Sequence, residues 1–283
     1  MNFLRAPCST SGRSALLTRH NALAPTRVHA RARFSAPPRS ARADTVPVWE
    51  TLVVVNGAAG SSQTPEEQKE LLDTLWTLQY RTPGACCASA GPVLQSATRD
   101  GAGSLQAAVY YRFSAQAQAE RFVAGSAFAD AKARLLGSAT VSLSLWKVLV
   151  PNDMEALFKR GAAFDTGVDV ILSLEPAAGA EAPAVDLIVE TVGRLQSAAM
   201  AVNSVQVSCG ADLLSMTSKL MWMGRFPQEE SAQRFLQSPA VVELSSALRS
   251  PGASPSTTSH GPLALTSVAL IEIGAVEQSK ERM

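Results

Sequence analysis

The stretch "RFSAQAQAERF" runs from Arg112 to Phe122, and "RFPQEESAQRF" runs from Arg225 to Phe235. Each places an Arg-Phe pair, seven residues and a second Arg-Phe pair, and the two begin 113 residues apart. At that distance, in a chain of 283 residues, the recurrence points to one structural unit of ordinary domain size built twice. Forward, the alignment continues without a gap to Leu135 on Leu248. Backward, a longer loop in the first half brings Ala90-Gly91 onto Cys209-Gly210.

Working outward from that match gives the elements. In the first half, Leu52 to Val55 is a Val-rich apolar run, the signal of a strand covered on both faces. Thr64 then offers an N-cap, Pro65 a first helical residue and Glu67 the third member of a capping box, with Leu71, Leu72, Leu75 and Leu78 as the buried stripe. "ACCASAG" and "LQAAVYYRF" read as a hairpin with a long loop, "SAQAQAERFVAGSAFADAKARLL" as a helical segment and "ATVSLSLWKVLV" as a closing strand. The second half repeats this order with "GVDVILSLEP", "APAVDLIVETVGRLQ", "SVQVSCG", "SKLMWMGRF", "EESAQRFLQSPAVVELSSALRS" and "PLALTSVALIEIG". Pro239 is expected to start a new helix after Ser238.

The fold class is therefore α+β: two tandem ferredoxin-like βαββαβ units, each a four-stranded antiparallel sheet with both helical regions on one face. The other face needs a cover, because "LVVV", "VILSL", "LMWM" and "VALIEI" present apolar groups to both sides. Two such sheets in one chain cover each other as a pseudo-dimeric barrel with the helices outside. In that frame the repeated phenylalanines are expected in the core and the arginines extending outward from it. If a pocket exists it lies between the sheets, and the aromatic residues expected to line it are Tyr110 or Tyr111, Trp146 and Trp222. Plain core packing is the competing reading for each.

Charge divides the chain. Residues 1–43 hold eight arginines, no lysine and no acid before Asp44, the composition of an organellar transit peptide. "SAPPRSARA" favours the chloroplast, and "RARFS" would also suit mitochondrial processing. The C-terminal "SKERM" departs from the peroxisomal Ser-Lys-Leu address. Without the leader, 17 basic groups face 24 acidic ones, a net charge of −7, which disfavours nucleic acid as a partner. No apolar run reaches the roughly 20 residues that a bilayer-spanning helix needs.

Adjacent Cys86 and Cys87 point to opposite faces of a strand, so with the solitary Cys209 they read as small buried residues rather than a bridge or a zinc set. "GAAGSS" after the first strand lacks the Lys of a phosphate loop, and "GAGS" reads as a hairpin turn.

In element order, lengths and duplication the chain resembles the stress-responsive A/B barrel (Dabb) family, in its tandem two-domain plant and algal form. The resemblance covers residues 49–150 as one domain and 165–275 as the second. It implies ferredoxin-like units paired through their sheets. The family's Tyr-x-x-His-Pro-x-His pattern falls on residues 122–128 and 235–241, where only Pro239 matches. Related polyketide cyclases use His and Tyr as acid and base, whereas His20 and His29 here lie in the leader and His260 in a loop. The expectation is a non-catalytic organellar protein that binds a small apolar ligand or a protein partner, with no catalytic residue, metal or cofactor assigned, as an intrachain pseudo-dimer or a homodimer. Alternatives are a cofactor-independent cyclase-like or monooxygenase-like enzyme using Tyr, Asp or Arg in the barrel, and a purely structural interaction module.

Overall fold

The computed structural model describes residues 44–56, 64–98, 105–135, 140–176, 185–216, 218–245 and 263–273. The proposed leader, the stretches "GAAGSS" and "GAGS", and His260 lie outside the described residues. The first half runs β1 (Thr45–Asn56), α1 (Pro65–Thr77), β2 (Ala85–Thr98), β3 (Leu105–Phe113), α2 (Gln116–Val123), α3 (Ser126–Leu135) and β4 (Thr140–Pro151). A linker carries α4 (Met154–Phe158) and α5 (Ala162–Asp165). The second half runs β5 (Gly167–Pro176), α6 (Val185–Ala201), β6 (Gln206–Ala211), β7 (Leu220–Phe226), α7 (Glu229–Leu236), α8 (Pro239–Ser245) and β8 (Leu263–Ile273).

Local chemistry fixes these elements where the sequence suggests. The Thr64 hydroxyl accepts from the Glu67 amide at 3.2 Å, and the Thr64 amide donates to the Glu67 carboxylate at 2.9 Å, so two otherwise unpaired helix-start amides are satisfied. Leu71, Leu72, Leu75 and Leu78 are buried, joined by Trp76, and each leucine contributes about 1.5–3 kcal/mol by leaving water. β1 extends well beyond the Val-rich run because it is central, laddered to β3 on one side and β4 on the other. The second helical region of each half is broken in two, at Gly125 and at Ser238-Pro239.

The eight strands form one sheet in the order β4-β1-β3-β2-β8-β5-β7-β6. Each half keeps the ferredoxin-like order, and β2 joins β8 antiparallel from Val93 opposite Ile271 to Thr98 opposite Ser267. At the far edge, the amide of Leu213, which follows β6, donates to the carbonyl of Leu145 in β4 at 2.6 Å, and Asp212 Oδ1 accepts from the Leu145 amide at 3.0 Å. The sheet thus curls into a nearly closed barrel, one seam a strand ladder and the other held by a loop and an aspartate.

Strand alternation sorts side chains into three cores. Tyr111, Phe113, Phe122 and Phe128 pack beneath the helices of the first half. Trp222, Phe226 and Phe235 pack beneath those of the second. A third core between the halves takes Leu52, Tyr110, Trp146, Ile171, Met221 and Met223. The repeated phenylalanines are core, as expected, but the expectation for the leading arginines is corrected. Arg112 and Arg225 are 0% exposed, because Phe113 and Phe226 take the helix side and alternation turns their neighbours into the barrel. Arg121 and Arg234, on helices, do reach the surface. Among the described residues no helix is long and apolar enough to cross a membrane.

Candidate functional site

A charge on the inner face of a barrel strand has left water and needs a partner. Glu50 stands opposite Arg112 in the β1–β3 ladder, and Asp169 opposite Arg225 in the β5–β7 ladder, so the antiparallel registers deliver an acid and a base to the same place twice. Arg225 grips Asp169 with both arms of its fork, Nε to Oδ1 at 2.7 Å and Nη2 to Oδ2 at 2.6 Å. Arg112 donates through Nη2 to Glu50 Oε1 and through Nε to the Tyr110 hydroxyl at 2.9 Å. Tyr110 in turn donates to Glu50 Oε1 at 2.5 Å.

Each pair also reaches into the opposite half. Ser208 of β6 donates to Glu50 Oε2 at 2.5 Å, and Arg225 Nη2 donates to the Ser89 hydroxyl of β2 at 2.9 Å. Ser89 and Ser208 occupy equivalent places of the repeat, so the exchange is reciprocal. The remaining arm of each arginine holds the linker: Arg112 Nη1 donates to the Ala156 carbonyl, and Arg225 Nη1 to the Phe164 carbonyl at 2.8 Å.

Between those two anchors sits Lys159, the C-cap of α4, with φ 48° and ψ 52°. A bulky residue in the left-handed region is uncommon and persists where its surroundings hold it there. Its side chain enters the barrel, 6% exposed, with Nζ 3.8 Å from the centre of the Tyr110 ring. Nζ has no hydrogen-bond acceptor among the described residues. The ring face attracts the ammonium, but each carboxylate already has an arginine, so the amine has no counter-ion of its own.

Burial first, and then the nearby Arg225 and Arg112 guanidinium groups, push the Lys159 amine down to about 7, against the smaller opposing pull of Asp169 and Glu50. Burial would raise Glu50 and Asp169, but their arginines and Lys159 outweigh it and hold both carboxyls below the usual range. Tyr110 is pushed well up, chiefly by burial, with Glu50 adding to it. The Cys87 thiol, also buried, is raised.

The four aromatic candidates separate. Tyr110 and Trp146 face the barrel interior. Tyr111 lies on the helix side with its hydroxyl on the Leu75 carbonyl, and Trp222 stacks on Phe235 beneath α7. Among the described residues the indole N–H of Trp146 has no acceptor, but neither has that of Trp222, so the indole is a weaker sign than the amine. The sequence singled out neither Glu50, Asp169 nor Lys159 by position, and its leading expectation turned the arginines outward, although the enzyme alternative placed Tyr, Asp or Arg in the barrel. The available signal was a lone charge within strands already judged covered on both faces, "WETLVVV" and "GVDVIL". Among the described residues no three His, Cys, Asp or Glu side chains gather as a metal site.

No protein-family model and no curated protein matches the chain. Solved structures do resemble it. A provisionally assigned chlorite dismutase aligns at 8% identity over 83% of this chain and 99% of that one, TM-score 0.49. A provisionally assigned monooxygenase from Fusobacterium nucleatum subsp. nucleatum aligns at 9% over 81% and 93%, TM-score 0.47. A heme-binding protein from Thermus thermophilus aligns at 10% over 85% and 97%, TM-score 0.45. No residue role is carried from them to this chain, whose site rests on its own geometry.

Proposed function

We propose that this chain is a plastid tandem barrel of the stress-responsive A/B type, acting as a binding protein and not as a catalyst. Its ligand is a small, mostly apolar molecule with one acidic group, received at Lys159. The unpartnered, buried Lys159 amine carries this reading. A buried cation without a counter-ion is costly, and a ligand carboxylate supplies one. Leu52, Ile171, Met221 and Met223 pack with Tyr110 in the core between the halves, where a ligand's apolar part would have to displace them, and the methionines are able to adapt in shape.

Turnover is disfavoured by the state of the polar groups. Tyr110, the side chain a barrel cyclase would use, is committed to Glu50 and Arg112, and its raised pKa makes it a poor base. The described residues include no histidine.

The test uses the full chain and decanoate as probe, with tryptophan fluorescence as readout, since Trp146 stands in the barrel interior. Saturable one-to-one quenching that disappears in Lys159→Met supports the reading. Quenching that is absent, or unchanged in Lys159→Met, overturns it. The plastid assignment rests on the Arg-rich, acid-free residues 1–43. Fusing that segment to a fluorescent protein is expected to label plastids; cytosolic signal would sink the assignment, and mitochondrial signal would replace it.

A further inference from the structure

We propose that Lys159 captures aldehydes and ketones covalently, as a reversible imine on Nζ within the barrel. This rests on the reading above that Lys159 is the ligand's contact group, and it adds a second ligand class with carbonyl chemistry.

The argument is one of charge and position. The titratable and charged groups facing the amine are Glu50 on β1, Cys87 on β2, Tyr110 and Arg112 on β3, Asp169 on β5 and Arg225 on β7. Two carboxylates and two guanidiniums cancel, and the thiol and phenol stay protonated because burial raises both. Among the described residues the protonated amine would therefore be the one uncompensated charge of the cluster. Losing its proton removes that charge and leaves a primary amine with a free lone pair and no acceptor or donor occupying it. Its lowered pKa, about 7, agrees with this. Desolvation of this kind is what turns lysine into a nucleophile for carbonyl carbon. The two arginine bonds to Ala156 and Phe164 fix the linker on either side of Lys159, so the amine is held in place before any ligand arrives.

The step balances without a further reactant. The Nζ lone pair forms a bond to the carbonyl carbon, and the C=O π pair moves to oxygen. That oxygen leaves as water with both amine hydrogens, and a C=N bond remains. Hydrolysis reverses each change, so the ligand is held and released without net oxidation or reduction.

The experiment treats the full chain at neutral pH with decanal and cyanoborohydride, which reduces an imine to a stable secondary amine, followed by peptide mass mapping. Lys69, Lys132, Lys147, Lys219 and Lys280 are internal references. Because its buried surroundings favour the neutral amine, Lys159 is expected to gain a decyl group about tenfold or more faster than these. Lys159→Arg keeps a cation but no primary amine, so decanal capture should be lost in it. Modification at equal rates on all lysines, with decanoate still bound, overturns carbonyl capture alone. Failure of both decanal capture and decanoate quenching overturns the binding reading with it.

Discussion

Arg112 in the first half and Arg225 in the second occupy the same point of the repeat, each opposite an acid on the neighbouring strand, yet they are held differently. Asp169 is short enough to meet the Arg225 fork squarely with both oxygens. Glu50 is one methylene longer, and Tyr110 stands where the second half has Met223, so Arg112 divides its fork between phenol and carboxylate and leaves Glu50 Oε2 to Ser208. The phenol ring that causes this division is also the surface over which Lys159 lies. One backbone frame thus gives a closed pair in one half and an extended network in the other, and the candidate ligand site belongs to the extended one.

The largest effect that tests this comparison is removal of one arginine. Arg225→Ala leaves Asp169 buried without its hydrogen-bonded cation, and Arg112→Ala does the same to Glu50, with Lys159 acting on each only through space, so each is expected to lose about 3–5 kcal/mol in urea unfolding. The divided pair should lose less, because Tyr110 and Ser208 still donate to Glu50. Replacing both members of one pair by Leu and Met should cost less than either single change. Equal losses in the two halves would show that the asymmetry is geometric only.

Lys159 gives the next largest effect, through pH. Its folded pKa of about 7 lies below the unfolded value near 10.4, so between these values the unfolded chain binds more protons and stability rises with pH. Below about 7 both states are protonated and the burial penalty is fully present. Relative to Lys159→Met, which lacks the group, the wild type should gain about 3–4 kcal/mol from neutral to alkaline pH. Using the difference removes the opposite trend of the raised thiols Cys87 and Cys209. A flat difference would mean that Lys159 is ion-paired, and the asymmetry between halves would lose its functional meaning.

What the sequence made legible, and what it did not, follows from range. The Arg-Phe repeat, the Thr64–Glu67 capping box and the Val-rich strands are local signals, and they lead to the element order, the duplication and the covered sheet face. Whether Tyr110 or Tyr111 turned inward needed the register, which periodicity of two leaves ambiguous until one residue is anchored. Phe113 was that anchor: once it packs against Phe122 beneath α2, Tyr111 joins it, and Tyr110 and Arg112 must face the barrel. Lys159 was beyond reach, because a linker lysine reads as solvated until the two arginines pinning that linker are known.

The two seams extend the comparison to equivalent glycines. A Cβ on Gly91 would meet the Glu272 carbonyl oxygen at 1.5 Å, and one on Gly210 the Lys147 carbonyl oxygen at 2.7 Å. Both contacts are with backbone, so strands must shift. Gly91→Ala, in the β2–β8 ladder where the overlap is deeper, is expected to cost about 3 kcal/mol, and Gly210→Ala, at the loop-held β4–β6 seam, about 1 kcal/mol. The reverse order in thermal unfolding would show that the loop-held seam is the stiffer one.

The smallest test concerns the serines that cross between halves. Ser208→Ala removes a donor from Glu50 Oε2, which no other bond satisfies among the described residues. Ser89→Ala removes one acceptor from an Arg225 whose nitrogens keep Asp169 and Phe164. A hydrogen bond to a charged group contributes about 1.5–3 kcal/mol, and leaving a buried charge short of one costs more than losing a redundant one. Ser208→Ala is therefore expected near 2 kcal/mol and Ser89→Ala near 0.5 kcal/mol, read from paired urea titrations. In Arg112→Ala the Ser208 effect should grow, since Ser208 would then be one of two donors left on Glu50. In Arg225→Ala the Ser89 effect should vanish, since its partner is gone. Growth in one half and disappearance in the other would identify the first half as a coupled network; matching behaviour would return both to simple braces of the barrel.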